Sequence, residues 1–259
     1  MKTMLLVAAV TAGVASVAQA AFTPLYSANF NAPTYTDGPL TSSTTFDATQ
    51  TPGQDGWLAS SGTTNLIAVS GAATNGVVTL TTTGQDVRRA VSPVTSGSVY
   101  LQAAINVTAA QAAGDYFFHA GDGGASNFYA RTYIKSSGTG FVMALGTGSG
   151  AATYGSTVLS FNTPYTILVR YDIVSGTAND TGALFINPTT ADGTGDTAYV
   201  AATTIGIDAT TIGSVNLRQG SAANAPSLTI DNIVVSAVPE PATLAALGLG
   251  GLLLRRRRA

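Results

Sequence analysis

The sequence predicts an all-β fold, an antiparallel two-sheet β-sandwich, on three observations. Roughly a dozen short stretches alternate apolar and polar residues and are separated by Gly, Asn, Asp and Ser turns. No stretch between the two ends reads as a convincing helix. That region also contains no glutamate and a single lysine, residues that favour helices, while Thr, Ser, Gly, Ala and Val take their place. No repeat of fixed period is present, which argues against a propeller or solenoid.

Taken in order, residues 22–30 (FTPLYSANF) are expected as an edge strand, since Pro24 suits an edge and not a central position. Residues 31–64 read as loop-rich, with a turn at Asp37-Gly38-Pro39 and Gly53-Gln54-Asp55-Gly56 leading to Trp57. Short strands are predicted at 65–70, 77–82 and 86–91, then a longer one at 98–108. Strands at 115–119 and 127–135 follow. Alternation in the second sets Phe128, Ala130, Thr132 and Ile134 against Tyr129, Arg131 and Tyr133. Strands at 140–145, 157–161, 165–173, 181–187, 214–218 and 228–235 complete the set. Residues 109–113 allow at most one helical turn, and 237–241 read as a linker.

Both ends carry export features. Met1-Lys2-Thr3-Met4 is a short basic segment, residues 5–17 are apolar, and Ala18-Gln19-Ala20 is a small-x-small triplet. This predicts a signal peptide over residues 1–20, cut by signal peptidase between Ala20 and Ala21. At the other end, Pro239, Glu240 and Pro241 precede thirteen uncharged residues, 242–254, and then Arg255, Arg256, Arg257 and Arg258. The apolar run is shorter than the about 20 residues that span a bilayer, and Gly248, Gly250 and Gly251 weaken it as a helix. It would still insert transiently in the inner membrane, with the arginines kept on the cytoplasmic side and the main body outside. Pro239 and Pro241 keep the segment before the run extended and open to a protease.

This three-part tail resembles the PEP-CTERM sorting signal of bacteria that carry exosortase, a membrane-embedded, transpeptidase-like cysteine enzyme. The resemblance implies exosortase as a processing partner, cleavage near Pro239-Glu240-Pro241, and release or attachment at the cell surface. The expected organisation is a signal peptide (1–20), a β-sandwich domain (21–237) and a sorting tail (238–259).

Between the ends remain six basic residues and twelve aspartates, a net charge of −6 where the whole chain has −2. So few dispersed cations give no footprint for nucleic acid. The chain has no cysteine, which excludes disulfides and thiolate sites. The segments NDTGALFINP, VNLRQG and LTIDNIVV resemble the C-terminal half of concanavalin A-like, or laminin-G-like, jelly rolls of secreted bacterial proteins. GDYFFHAG, NFYARTYIK and PYTILVRYDI fit the same order. That resemblance implies a jelly-roll topology and leaves function open.

Glycoside hydrolysis on such a fold needs two acidic residues about 5–10 Å apart. The familiar Glu-x-Asp-x-x-Glu strand is missing, which leaves only aspartates from different loops for a hydrolase. His119, the sole histidine, has Asp115 and Asp122 nearby in sequence but no nucleophile elbow, and reads as an ordinary strand-end residue. One histidine without cysteine is not a zinc set. Calcium is the one metal the loops would suit, through Asp122 in Gly-Asp-Gly-Gly and Asp192 with Asp196 in Asp-Gly-Thr-Gly-Asp; such pairs equally make plain turns. Trp57, Tyr116, Tyr129 and Tyr133 are available for sugar stacking, though alternating aromatics also fit a core. The expected function is an exported, non-enzymatic surface or extracellular-matrix protein. The alternative is a lectin-like carbohydrate-binding module at the cell surface or in exopolysaccharide, and a hydrolase comes third.

Overall fold

Alternating residues become sixteen β-strands among the described residues, which are 22–42, 50–62, 64–124, 126–146, 152–204 and 208–239 of the computed structural model. They are β1 (Thr23–Ala28), β2 (Gly38–Pro39), β3 (Trp57–Ser61), β4 (Ala68–Ser70), β5 (Val77–Leu80), β6 (Asp86–Val94), β7 (Gly97–Ala109) and β8 (Asp115–Gly121). The rest are β9 (Phe128–Ser137), β10 (Gly140–Gly146), β11 (Thr153–Tyr154), β12 (Pro164–Ile173), β13 (Thr181–Ile186), β14 (Val200–Thr204), β15 (Ile212–Leu217) and β16 (Ser227–Val238). The described helical element is one 3-10 turn at Gln54–Gly56. Residues 109–113 form no helix, and the expected strand at 157–161 is reduced to one bridge, Phe141 to Leu159.

The strands form two sheets, with every pairing antiparallel. One runs β14-β13-β12-β7-β16-β5-β4-β2, with β1 added to β16. The other runs β11-β10-β9-β8-β15-β6-β3. The two-sheet sandwich read from the sequence is therefore the observed architecture. The hairpin β9–β10 shows the local logic: Ser137 pairs with Gly140 across the two-residue turn Gly138-Thr139, and Gly138 takes φ 57°, where a side chain would be strained.

The inner faces pack into one core. Leu101, Ile105, Ile167, Val169, Leu184 and Ile230 of the nine-stranded sheet share it with Val87, Phe117, Ile134, Met143, Val215 and Leu217 of the seven-stranded sheet. Rings cross between the sheets, Tyr129 to Tyr171 at 6.0 Å and Phe141 to Tyr165 at 6.1 Å. Each fully buried side chain of this size contributes about 1.5–3 kcal/mol. This core stands in for the missing disulfides.

Trp57 belongs to that core. It is 0% exposed, with Nε1 donating to the Tyr35 hydroxyl at 3.4 Å and its ring edge-on to Tyr26. The strand β16 also takes in Ala237 and Val238, which pair with Val99 and Ser98. These two residues are sheet, not linker.

Gln219, just past β15, ties the loop ends together. Its Oε1 accepts from Thr81 N at 2.8 Å and Thr81 Oγ1 at 2.7 Å. Its Nε2 donates to Asn65 O at 2.7 Å and Gln85 O at 3.2 Å. The side chain is 3% exposed, so truncation strands several polar groups away from water. Gln219→Ala should lower unfolding free energy by about 3 kcal/mol in urea titration. A loss below about 0.5 kcal/mol would show that water replaces the amide.

Candidate functional site

The face of the seven-stranded sheet turned away from the core carries the richest chemistry among the described residues. Directly paired residues of antiparallel strands project on the same side. Leu58 pairs with Arg88, Arg88 with Asn216, and Asn216 with His119, forming one row across β3, β6, β15 and β8. A second row runs from Tyr116 to Tyr133, Ala144 and Tyr154 across β8, β9, β10 and β11.

Two bulges decide which side chains reach this face. The β8–β9 register shifts between Tyr116 and Phe118 and again between Phe118 and Ala120. Ala130 in β9 sits at φ 47°, a conformation a β-residue seldom adopts. The expected alternation of β9 therefore breaks. Tyr129, Ala130 and Ile134 go to the core, while Phe128 contacts the outward rings together with Tyr116, His119 and Arg131.

The result is a continuous floor of rings and cations. Tyr116 lies 5.4 Å from His119, 6.4 Å from Phe128 and 5.4 Å from Tyr133, measured between ring centroids. His119 and Phe128 are 4.7 Å apart. Arg218 lies 4.1 Å above the Tyr116 ring, and Arg131 lies 4.7 Å from Tyr116 and 5.3 Å from Phe128. Lys135 Nζ is 3.9 Å from the Tyr154 ring. Each such contact is worth about 0.5–2 kcal/mol.

Charge on this face is unevenly matched. Arg218 forms a 2.7 Å ion pair with Asp115 and a looser one, 3.9 Å, with Asp86. Burial pushes the Arg218 pKa down, but the hydrogen bond and charge of Asp115 outweigh it and the net direction is up. At Asp86 burial wins and the pKa rises, despite the Ser61 hydroxyl and the Gln219 amide. Burial also raises the Tyr116 pKa, opposed by Arg218 and Arg131. Arg131 has no carboxylate partner among the described residues, and its buried Nε has no hydrogen-bond acceptor.

His119 is 3% exposed, with Nδ1 2.9 Å from the Ala120 carbonyl oxygen. Burial drives its pKa down to about 3, with Arg131 and Arg218 adding to the effect and the Ala120 carbonyl opposing it. The imidazole is neutral at ordinary pH. Asn216, 2% exposed, donates to Ser214 Oγ at 3.1 Å and lies 3.4 Å from His119 O.

The residues singled out from sequence fare differently. Tyr116 stands at the centre of the floor. Trp57, fully buried, offers no stacking surface. Asp122 accepts from Gly124 N and Asn127 Nδ2, both at 2.7 Å. Asp192 accepts from Thr194 N and Oγ1, and Asp196 from Thr189 N and Oγ1. These hydrogen bonds hold the Asp192 and Asp196 pKa values down. No three acidic or histidine side chains converge as a metal set among the described residues. Gly193, between the two aspartates, takes φ 71°, and a Cβ there would lie 2.8 Å from the Phe185 ring. That loop covers an apolar patch of Tyr100, Leu168, Ala183 and Phe185 on the outer side of the nine-stranded sheet. Ala20, Ala21, Glu240, Pro241 and Arg255–Arg258 lie outside the described residues. Arg131, Arg218, Asn216, Phe128 and Lys135 were not singled out. For Phe128, Arg131 and Lys135 the signal is the interleaving of aromatics and cations in NFYARTYIK, in a domain with few cations; Asn216 and Arg218 lie in VNLRQG, where nothing in the sequence marks them.

The fold and this face define a β-sandwich with an aromatic and cationic outer sheet. Residues 237–258 match the PEP-CTERM protein-sorting motif, so the tail is an exosortase-type sorting signal and the protein is exported. No curated protein matches the sequence. Two solved structures of alginate lyase Aly36B mutants, one with an alginate tetrasaccharide and one with a trisaccharide, give TM-scores of 0.51 and 0.52 at 18% and 16% identity. They cover 82% and 83% of this chain and 96% and 99% of their own. Domain 4 of the arabinanase AbnA from Geobacillus stearothermophilus, with arabinotriose, gives a TM-score of 0.45 at 14% identity, over 88% of this chain and 98% of its own. For the two alginate lyase structures, at these identities, the likeness is one of fold.

His119 makes stability depend on pH. The unfolded chain takes up its proton near the ordinary value of 6.5, the folded protein only near 3, so the unfolded state binds more protons between those values. Stability falls as pH drops through that window, by up to about 1.4 kcal/mol per pH unit. Urea unfolding should show wild type losing about 2–3 kcal/mol more than His119→Gln between pH 7 and 4.5. Parallel losses in both proteins would mean that the imidazole is not held neutral.

Proposed function

We propose that the sandwich is a non-enzymatic, lectin-like module displayed at the cell surface or in the extracellular matrix, where the outer face of its seven-stranded sheet holds a polysaccharide. One observation carries this reading: Tyr116, Phe128, Tyr133 and Tyr154 form a half-buried ring floor edged by planar hydrogen-bonding groups. Sugar rings present apolar C–H faces that stack on aromatics and hydroxyls that bond to planar polar side chains. The similar alginate lyase structures hold oligosaccharides, which supports a sandwich of this shape as a carrier of sugar chains.

Support for binding without hydrolysis comes from the face's carboxylates. Asp115 and Asp86 are both drawn to Arg218, so neither stands free as a member of an acid pair. Signal peptidase at Ala20–Ala21 and exosortase at Pro239-Glu240-Pro241 would deliver the domain.

A glycan array with the protein released by its native cells tests the reading. At least one polysaccharide should be retained, and Tyr116→Ala should weaken retention at least about tenfold. A blank array, or shortened and unsaturated sugar products, would overturn it, the second in favour of an enzyme. Deleting Arg255–Arg258 should leave the tail uncut, giving an intact mass that still includes residues 242–254. Normal processing of that variant would remove the arginines from the sorting step.

A further inference from the structure

Resting on the glycan-binding reading, we propose that the ligand is an anionic polysaccharide, bearing carboxylate or sulfate groups, and that Arg131 is the residue that pairs with its negative charge. Charge is unevenly distributed over the domain. The domain between the two processed ends carries six basic side chains and twelve aspartates, so its overall field repels polyanions. Yet four of the six cations, Arg88, Arg131, Lys135 and Arg218, project on the one outer face that carries the ring floor. Arg89 instead turns toward Tyr26 and Asp55, and Arg170 lies on the other sheet beside Asp172.

The aspartates that accompany these cations are committed. Asp115 and Asp86 both engage Arg218, and Asp86 is further held by the Ser61 hydroxyl at 2.6 Å and Gln219 N at 2.8 Å. Arg131 is different. Its guanidinium lies against both the Tyr116 and Phe128 rings, with no carboxylate in ion-pair contact among the described residues and a buried Nε that has no hydrogen-bond partner. Lys135 likewise meets only the Tyr154 ring and no acidic group among the described residues.

A guanidinium fixed by two rings is already ordered, so little freedom is lost when it binds. Its planar fork matches the two oxygens of a carboxylate or sulfate. His119, against the Tyr116 and Phe128 rings, stays neutral, so the positive charge on this floor comes from the arginines and Lys135. A sugar lying over Tyr116 and Phe128 would bring an acidic substituent beside Arg131, and a second along the chain toward Lys135.

Affinity electrophoresis or titration with polygalacturonate, dextran sulfate and neutral dextran tests the inference on the whole processed protein. Polygalacturonate or dextran sulfate should bind, and whichever binds identifies the anionic group. Binding should weaken at least about tenfold between low and 0.5 M salt, as screening shortens the electrostatic range. Arg131→Met, which keeps an apolar stem against the rings, should weaken it about 10- to 100-fold. Lys135→Met should weaken it about threefold, and Arg170→Met on the other sheet should leave it unchanged. Retention of dextran with no response to salt or to Arg131→Met would overturn the anionic assignment while leaving glycan binding intact. Failure of all three probes, together with a blank glycan array, would overturn both.

Discussion

The arrangement depends on β15 being buried on both faces. All six of its residues are buried. Val215 and Leu217 enter the core, while Ser214 and Asn216 lie under the outer face. A strand so enclosed has a fixed register, because a slip of one residue would send polar groups into the core and aliphatic ones outward. From that register follow Arg88 on one side and His119 on the other. The bulges in β8 and β9 then lift Phe128 and Arg131 beside them. The outer floor is thus a consequence of the core, not a separate surface feature.

The same sheet logic bears on export. β1 pairs with β16, and Thr23 stands opposite Ala237. The strand entering from the N-terminal side and the strand leading into the sorting motif are neighbours at one end of the sandwich. β16 is paired up to Val238, which meets Ser98. Pro239 then ends the ladder, since it has no amide proton to donate. The change from sheet to motif occurs within a single residue, and the domain folds right up to the segment that the sorting enzyme must reach.

Fold class was legible because alternation and turn residues are local properties, and strands such as β7, β12 and β16 lie close to where periodicity places them. What sequence could not show was the consequence of single backbone choices. Ala130 carries no sign of its left-handed conformation, yet it reverses the face of Phe128. Trp57 looks like a stacking residue until Tyr35 and Tyr26 enclose it. Asp192 and Asp196 have a spacing that suits either a cation or a turn, and the sequence does not show that their oxygens accept hydrogen bonds within a loop whose glycine must clear Phe185. The sorting tail was fully legible, because its three parts act through order and composition rather than through tertiary contacts.

The central claim is that the outer face of the seven-stranded sheet, and not the loop edge, is where this protein meets its ligand. NMR chemical-shift mapping with a bound oligosaccharide tests that most directly. The account predicts the largest shifts at Tyr116, His119, Arg131 and Asn216, with little change at residues 122–124 and 188–196. Shifts concentrated in those two loops, with the sheet face silent, would contradict it.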